Sequence, residues 1–406
     1  MPGTNFGALG DRGLVSASMP KPKDTFIPNT PDELTAAWVG EALRGAGETC
    51  TVDDIRVESL GGGVGMTGQT VRVRIEGDGA PATAVAKFAA SQAQTRGITE
   101  SYDSYAREIR FYERYAERVP VRTPKYLGAD YDPGTHGQPG PVVVRIIESL
   151  PVGVKRWISR NTVKYLRPTK RRYALLIEDM GDAGAVYGLG EPPGDDELRA
   201  ALTALAGVHA SFWKSPELDQ DDETFVQLVT STPTLLSDVA RTAALSVAEA
   251  RYDWCGPAER EALETATHRF PENIRCANER WALVHGDGRS DNFMFSPDGE
   301  AIILDWAMVS RGHPGFDVGY LLSSCLDADR ITSLGPLVEH YHGTLTGLGV
   351  DFDPAELRRG VDAAYEINAV LQLLTLTVFE GQGDNTGSEM ADLWLPRVAA
   401  GLTHTW

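Results

Sequence analysis

Residues 281–307 read WALVHGDGRSDNFMFSPDGEAIILDWA, and this stretch decides the fold. The pattern predicts a short strand, a polar loop and then a hairpin whose turn is Pro297-Asp298-Gly299. Asp287 and Asn292 stand in the polar loop, and Asp305 follows the second strand of the hairpin. The hairpin therefore offers a way to bring Asn292 and Asp305 together.

These polar side chains match the needs of phosphoryl transfer. That reaction uses an oxygen acceptor that orients the attacking hydroxyl, and hard oxygen ligands for a Mg²⁺ ion that bridges the phosphates. Asp287 is predicted as the catalytic acceptor, and Asn292 and Asp305 as the metal ligands. The alternative is a set of turn formers beside a surface hairpin, but residue type, spacing and order together favour the reaction. His285 is predicted to hold the loop.

Length and composition limit the other possibilities. The chain has 406 residues, a length that predicts two or three domains or lobes. It carries 38 Lys and Arg against 57 Asp and Glu, a net charge of −19. A uniform attraction to nucleic acid or to an anionic membrane is not expected, because phosphate binding needs a cationic face. Four cysteines without short pairing disfavour a disulfide scaffold and a Cys-based zinc site.

The termini and the apolar runs bear on location. The N-terminus has no basic start followed by an apolar block, and no apolar run reaches membrane-spanning length. We therefore expect a cytoplasmic protein with no nucleic-acid, membrane or obligate protein partner. Residues 1–28 are rich in Gly, Pro, Ser and Asn, and they predict a flexible N-terminal arm.

The hydrophobic period divides the rest of the chain into two parts. From residue 52 to residue 90 the hydrophobic period is two, and helical patterns dominate after residue 181. Thr30 predicts the cap of a first helix. The further predicted elements of the first part are strands at 52–60, 71–77, 83–90, 141–150 and 173–180 and a helix at 102–118. We expect an α+β protein with an N-terminal antiparallel sheet lobe, 29–180, and a mainly helical lobe, 181–406.

Gly63, Gly65 and Gly68 form a G-x-G-x-x-G loop. In a dinucleotide-binding fold such a loop joins a strand to a helix, but residues 71–75 alternate as a strand. A glycine loop between two strands resembles the flap that covers nucleotide phosphates in kinases. Glycine suits this role because the missing Cβ lets backbone N–H groups approach phosphate oxygens. A flexible hairpin turn is the alternative.

Lys87 lies on the next predicted strand, in an apolar segment where an ammonium group without a partner is unfavourable. Glu108 on the following helix is the expected counter-charge, and in kinases such a pair holds the α- and β-phosphates. Glu113, about one helical turn further on, is the rival partner. The alternative is an edge strand whose lysine tip lies in solvent, beside a solvated helix face.

Together these motifs resemble the aminoglycoside phosphotransferase and choline kinase-like family, the small-molecule relatives of protein kinases. His-Gly-Asp at 285–287, Asn292 and Asp305-Trp306 carry this resemblance most specifically. The runs at 108–112, 175–180 and 209–213 resemble the ecdysteroid-kinase-like branch. The resemblance covers residues 52–402.

The resemblance implies a two-lobed protein-kinase-like fold with ATP and Mg²⁺ as cofactors. It implies that Glu178 and Met180 belong to the hinge that meets adenine, and that Asp287 is the catalytic aspartate. The sequence has no Ala-Pro-Glu segment, which favours a small-molecule acceptor over a protein. We expect a kinase that phosphorylates a hydroxyl of a metabolite or an antibiotic-like compound. A non-catalytic nucleotide-binding protein on the same fold is the alternative.

Two features leave alternatives open. Residues 151–173 hold eight Lys or Arg and no acid, which fits either a cationic flap over an anionic acceptor or a solvated loop that balances the acidic surface. We expect the predicted C-terminal helices to line the acceptor pocket, and both polar and apolar side chains there are candidate contacts. The polar candidates are Asp362, Glu366, Asn368 and Gln372. His209 and Asp317 are expected to be structural.

Overall fold

The computed structural model describes residues 26–60, 68–133, 141–155, 157–158, 168–225, 227–241, 245–378 and 386–406. Over these ranges the protein has the predicted α+β fold of two lobes, a five-stranded antiparallel sheet followed by a mainly helical part. Most of the predicted N-terminal arm, together with Gly63 and Gly65, lies outside the described residues. In the part of the chain that is described, no helix is both long and apolar enough to cross a membrane. The lobe boundary at residue 180 stays a prediction.

The sheet of the first lobe has the strand order β1-β2-β3-β5-β4. Its strands are β1 Asp54–Ser59, β2 Gly68–Glu76, β3 Thr83–Ala89, β4 Tyr126–Tyr131 and β5 Tyr173–Glu178. Side chains of β5 alternate between two cores, as the strand period requires. Ala174 and Leu176 pack with helix α1, Ala36–Gly45, whereas Leu175 and Ile177 pack on the side of helix α3, Ser104–Arg114.

Helix α3 also contacts the second lobe. The ring of Phe111 stacks on Trp306 with centroids 4.0 Å apart. Arg110 Nη1 donates to the carbonyl oxygen of Glu223 at 2.8 Å, and the Tyr115 hydroxyl donates to Asp221 at 2.9 Å. The helix that carries Glu108 is therefore attached to the helical lobe as well as to the sheet.

The second lobe is built of helices around two small sheets. The remaining elements of the chain are α2 Ala93–Ser101, α4 Pro141–Ser149, β6 Ala185–Val186, α5 Asp195–Ser211, α6 Pro233–Val239, α7 Leu245–Arg251, α8 Pro257–Ala277, β7 Ala282–Val284, β8 Phe293–Phe295, β9 Ala301–Ile303, β10 Ser310–Gly312, α9 Pro314–Cys325, α10 Leu334–Gly347, α11 Pro354–Val378 and α12 Thr386–Thr403. The two small sheets have the strand orders β6-β8-β9 and β10-β7. Helices α9 and α11 pack very closely, since a Cβ at Gly315 would lie 2.8 Å from Gly360.

The predicted strand at 141–150 is wrong, because this segment forms α4. A short apolar run suits a buried strand or a helix equally well, and periodicity alone does not separate them. Here Val142 and Ile146 face solvent, and Glu148 turns towards the second lobe. The fifth strand of the sheet is instead β4, which the sequence pattern did not reveal.

Two predicted helix starts also differ from the structure. Thr30 precedes only a short 3₁₀ turn, Pro31–Glu33, and α1 is capped by Thr35, whose side chain accepts the N–H of Trp38 at 3.2 Å. The helix predicted at 102–118 begins at Ser104, because Asp103 has the left-handed φ of 52° and separates α3 from α2. The side-chain cap of Thr35 sets the start of α1, and the left-handed backbone of Asp103 sets the start of α3.

Candidate active site

Three charged side chains meet where the two lobes face each other. Lys87 Nζ lies 2.6 Å from Glu108 Oε1 and 3.5 Å from Asp305 Oδ1. Lys87 is opposite Leu175 in the strand register, so both side chains stand on the α3 side of the sheet. Glu113 instead accepts a hydrogen bond from Tyr126 at 3.2 Å. The predicted pairing of Lys87 with Glu108 is therefore present, and its role in holding phosphates stays a prediction.

The pKa values in this group follow from burial and charge. Burial raises the pKa of Glu108 to about 7, against the attraction of Lys87. Burial favours a lower pKa for Lys87, but Asp305 and Glu108 outweigh it and raise the pKa. Burial favours a higher pKa for Asp305, and the ammonium of Lys87 reverses the direction, so this pKa is lowered. The lysine is thus held charged by two carboxylates.

The polar loop is fixed from below by Asp317 at the start of α9. Its buried carboxylate accepts the backbone N–H of His285 at 2.6 Å and that of Gly286 at 2.9 Å. His209 Nε2 lies 3.1 Å from the same carboxylate, and Tyr341 satisfies the other nitrogen of His209 at 2.7 Å. His285 Nε2 is 2.9 Å from the carbonyl oxygen of Leu304. Both histidines and Asp317 are structural, as predicted.

Gly286 is required by the loop geometry. Its φ of +81° lies in the left-handed region, and an added Cβ would collide with the carbonyl oxygen of Met308. The residue can turn sharply here only because it has no side chain. Asp287 follows this turn directly and is half-buried.

The hairpin of β8 and β9 brings the two predicted metal ligands together. Leu304 donates its backbone N–H to the carbonyl oxygen of Asn292 at 2.9 Å, next to Asp305. Asn292 Nδ2 donates to the carbonyl oxygen of Asp287 at 2.7 Å and lies 3.3 Å from its carboxylate. The side-chain oxygen of Asn292 is then the atom that can bind a metal. Asp305 has a φ of 54°, a strained backbone conformation that is common at functional sites.

The donor set fits Mg²⁺. The ion prefers carboxylate and amide oxygens and keeps several of its waters, so it needs few protein ligands. Asp305 offers a carboxylate that is 34% exposed, and Asn292 offers an amide oxygen. A cavity of about 60 Å³ adjoins Lys87, Glu108 and Asp305.

The predicted hinge follows β5. Glu178 is tied to Lys125 by backbone and side-chain hydrogen bonds of 2.8 and 3.0 Å. Met180 is buried, and it packs with Met294 and Ile302 of the β8–β9 hairpin. The sequence analysis did not predict that Met294 and Ile302 lie at the site. The sequence did hold a signal, because both residues belong to the predicted hairpin that follows the polar loop.

Two further residues beside Asp287 were missed. Burial raises the pKa of the Tyr320 phenol, and the hydrogen-bonded carboxylate of Asp287 raises it further. Burial raises the pKa of Asp287, and the positive charge of Arg289 partly opposes this rise. The signals were present in the sequence, since Arg289 is in the same loop and Tyr320 lies one helical turn after Asp317.

Several other predicted contacts are used inside the fold. Glu366 pairs with Arg269 at 2.7 Å, and Asn368 donates to Ser323 at 2.9 Å. Glu366 and Asn368 are therefore committed to packing between helices. In the basic segment, three cations pair with acids of the fold: Lys155 with Asp238 at 3.2 Å, Arg171 with Asp103 at 2.9 Å and Arg172 with Asp132 at 2.8 Å.

Glu279, His313 and Glu356 form a cluster whose ligand atoms lie within 4.8 Å of one another. His313 Nδ1 accepts the N–H of Gly315 at 3.0 Å, so the neutral ring carries its proton on Nε2. That nitrogen lies 3.4 Å from Glu356 and could bind a metal only by losing its proton. Arg359 pairs with both glutamates. The cluster is a network of ion pairs rather than a metal site.

A model of the phosphotransferase enzyme family matches residues 63–358. The structure of a candidate aminoglycoside phosphotransferase from Ralstonia eutropha is similar with a TM-score of 0.51 and 16% identity, over 90% of this chain and 95% of that chain. This likeness supports the two-lobed fold.

Two further solved structures are more distant. A macrolide 2′-phosphotransferase from Brachybacterium faecium has a TM-score of 0.45 and 14% identity, over 89% of this chain and 98% of that one. A choline/ethanolamine kinase family protein from Mesorhizobium loti has a TM-score of 0.44 and 15% identity, over 86% and 88%.

One curated relative matches a short region. Acyl-CoA dehydrogenase family member 11 of Gallus gallus is 31% identical over 72 residues, which are 17% of this chain and 9% of that protein. The chain thus matches only a small part of the length of this relative. The narrower likeness to the ecdysteroid-kinase-like branch stays a prediction.

Proposed function

Because the chain belongs to the phosphotransferase enzyme family, which matches residues 63–358, we propose that it transfers the γ-phosphoryl group of ATP to a hydroxyl group of a small molecule. The observation that carries the proposal is the contact chain from Glu108 through Lys87 to Asp305, with Asn292 and Asp287 on the adjoining loop. These groups have the types and order that phosphoryl transfer requires.

Each residue has a distinct role in the proposed reaction. Lys87, oriented by Glu108, binds the α- and β-phosphates together with backbone N–H groups of the loop that contains Gly63, Gly65 and Gly68. Glu178 and Met180 contribute the hinge that meets adenine. Asn292 and Asp305 hold Mg²⁺, which neutralises the charge on the phosphates when it is bound.

Asp287 positions the acceptor hydroxyl and accepts its proton. The acceptor oxygen forms a bond to the γ-phosphorus, the bond from that phosphorus to the β,γ-bridging oxygen breaks, and ADP leaves. Acceleration comes from alignment and charge stabilisation rather than from a covalent enzyme intermediate. A pKa of Asp287 that burial raises suits a group that must take up a proton.

The test is product detection. The protein is incubated with ATP, Mg²⁺ and a metabolite extract, and also with macrolides, aminoglycosides and amino alcohols, and mass spectrometry searches for a compound that has gained one phosphate. We expect such a product with the wild type and none with Asp287→Asn, while both bind ATP. Nucleotide binding with no product from any acceptor would favour the non-catalytic alternative.

A further inference from the structure

Arg72 on β2 reaches across the sheet to the end of β5. Its Nη2 donates a hydrogen bond to Asp179 Oδ1 at 3.0 Å, and its Nε lies 2.6 Å from Asp179 Oδ2. The strands β2 and β5 are not neighbours, because β3 lies between them. In the strand register Arg72 is opposite Val85, and Val85 is opposite Ile177. The Arg72 side chain therefore passes over β3 beside Val85.

The face of the sheet that Arg72 crosses is the face that carries Lys87. Residues directly opposite each other in an antiparallel pair have their side chains on the same face, and so do residues two apart on one strand. Thr70 and Lys87 are opposite each other, two residues along the same strands. Thr70, Lys87 and Leu175 line the cavity at the candidate site. Arg72 thus continues the row of side chains that begins at this cavity.

Asp179 holds the guanidinium in place at the proposed hinge. The Asp179 side chain is only 5% exposed, and its Oδ1 also accepts the backbone N–H of Gly181 at 3.0 Å. Asp179 stands between Glu178 and Met180, the two proposed hinge residues. The ion pair therefore lies where the base of a bound nucleotide would meet the hinge.

Glu58 offers Arg72 a shorter reach but has another partner. It is opposite Arg72 in the register of β1 and β2, yet it pairs with Arg74 at 2.5 Å. The Arg72 side chain is 31% exposed and that of Arg74 is 55% exposed. Two arginines on one face of β2 thus make different ion pairs, and only that of Arg72 reaches the hinge.

We propose that Arg72, oriented by Asp179, binds the base of the nucleotide by stacking its guanidinium plane on the ring. This role depends on the nucleotide site of the proposed function and adds to it a residue that recognises the base. An arginine that pairs with a carboxylate through its N–H edge keeps the faces of the guanidinium free for an aromatic ring. The partial exposure of the Arg72 side chain leaves access for that contact.

The experiment is calorimetry of ATP binding to the full chain in Mg²⁺, together with displacement of the bound ATP by tripolyphosphate, which has no base. Arg72→Gln should weaken ATP binding about tenfold and leave the affinity for tripolyphosphate unchanged. Arg72→Lys keeps the charge but not the planar group, so it should lose nearly as much ATP affinity. Asp179→Asn should have a smaller effect, because asparagine retains one acceptor oxygen for the guanidinium.

Two controls separate base binding from general effects. Arg74→Gln removes the neighbouring arginine of the same face, and it should bind ATP as the wild type does. Lys87→Met should weaken the binding of ATP and of tripolyphosphate together, because Lys87 is the proposed phosphate ligand. Thermal unfolding of each variant shows whether the fold is intact.

Two results would overturn this role and leave the proposed reaction standing. Arg72→Gln could bind ATP as tightly as the wild type, or it could lose tripolyphosphate affinity as much as ATP affinity, which would make Arg72 a phosphate ligand. If the wild type binds neither ATP nor tripolyphosphate, the proposed reaction itself fails, and the role of Arg72 fails with it.

Discussion

The loop at 285–292 and the connection between β4 and β5 are held in place to different degrees. Around the loop, nearly every ionisable group lies against a partner inside the fold, as Asp317 does with His209 and two backbone N–H groups. The connection is attached by Glu148 and Lys155, and the outer side of α4 exposes Val142, Val143 and Ile146. Several contacts fix the position of each group in the loop. The connection between β4 and β5 is held at fewer points and leaves side chains exposed.

The largest effect is expected from Asp287→Asn. Asparagine preserves the shape of the loop but cannot accept the hydroxyl proton, so kcat should fall by about 10³-fold. ATP affinity measured by calorimetry should stay close to that of the wild type. The matched control is Asp298→Asn, in the turn of the same hairpin. Wild-type turnover by Asp287→Asn would remove this residue from the proposed mechanism.

Gly286→Ala tests how rigidly the loop is determined. The left-handed φ and the collision with Met308 should lower the free energy of unfolding by roughly 2–3 kcal/mol, measured in urea. Gly343→Ala in α10 is the control, because open space surrounds that position and alanine favours a helix by about 0.5–1 kcal/mol. Equal stability of the two variants would mean that the loop can relax.

His313, at the N-terminal cap of α9, should make the free energy of unfolding depend on pH. Burial lowers the pKa of His313 to about 4, whereas an unfolded chain protonates histidine below roughly pH 6.5. The unfolded state therefore binds the extra proton first, and the free energy of unfolding should fall as the pH drops from about 6.5 to about 4.

The variant His313→Asn isolates this effect. Asparagine can still cap α9 but does not titrate, so the slope should become shallower by up to about 1.4 kcal/mol per pH unit. Urea titrations across this range measure it, with His268→Asn on the exposed side of α8 as the control. An unchanged slope would show that His313 does not control the acid stability.

The smallest effect is expected from the exposed apolar side chains of α4. Val142→Gln/Val143→Gln/Ile146→Gln should change the free energy of unfolding by no more than about 0.5 kcal/mol per site, because exposed side chains contribute little to packing. Turnover with a soluble acceptor should also be unchanged. A large loss of stability would mean that these side chains pack inside the fold, and the contrast between the two regions would disappear.

The residues that meet at the candidate site were more predictable than the boundaries of the helices and strands. The carboxylates, the amide and the lysine were predicted because phosphoryl transfer restricts residue type and order, and the preference for Glu108 over Glu113 came from the family pattern. The predicted hairpin turn at 297–299 is also present, with Gly299 at a φ of 82°. Local turn chemistry and a demanding reaction leave clear signals in a sequence.

The missed features depend on contacts between distant residues. The apolar run at 141–150 forms a helix whose Glu148 accepts the N-terminal N–H groups of α6, and no local pattern contains that contact. The proximity of Tyr320 to Asp287 depends on the packing of α9 under the loop. Burial of Glu366 depends on Arg269 and Asn273 of α8. Tertiary structure decided all three.

The double attachment of α3 has a mechanical consequence. In sequence this helix belongs to the sheet lobe, since it lies between β3 and β4. It is also attached to the helical lobe by the stack of Phe111 on Trp306 and by the hydrogen bonds of Arg110 and Tyr115. If the sheet rocks during a catalytic cycle, the motion must be accommodated between β3 and α3. In that case the distance between β3 and α3 should change as the lobes open, and a pair of spectroscopic labels on these two elements, away from Lys87 and Glu108, would report the change.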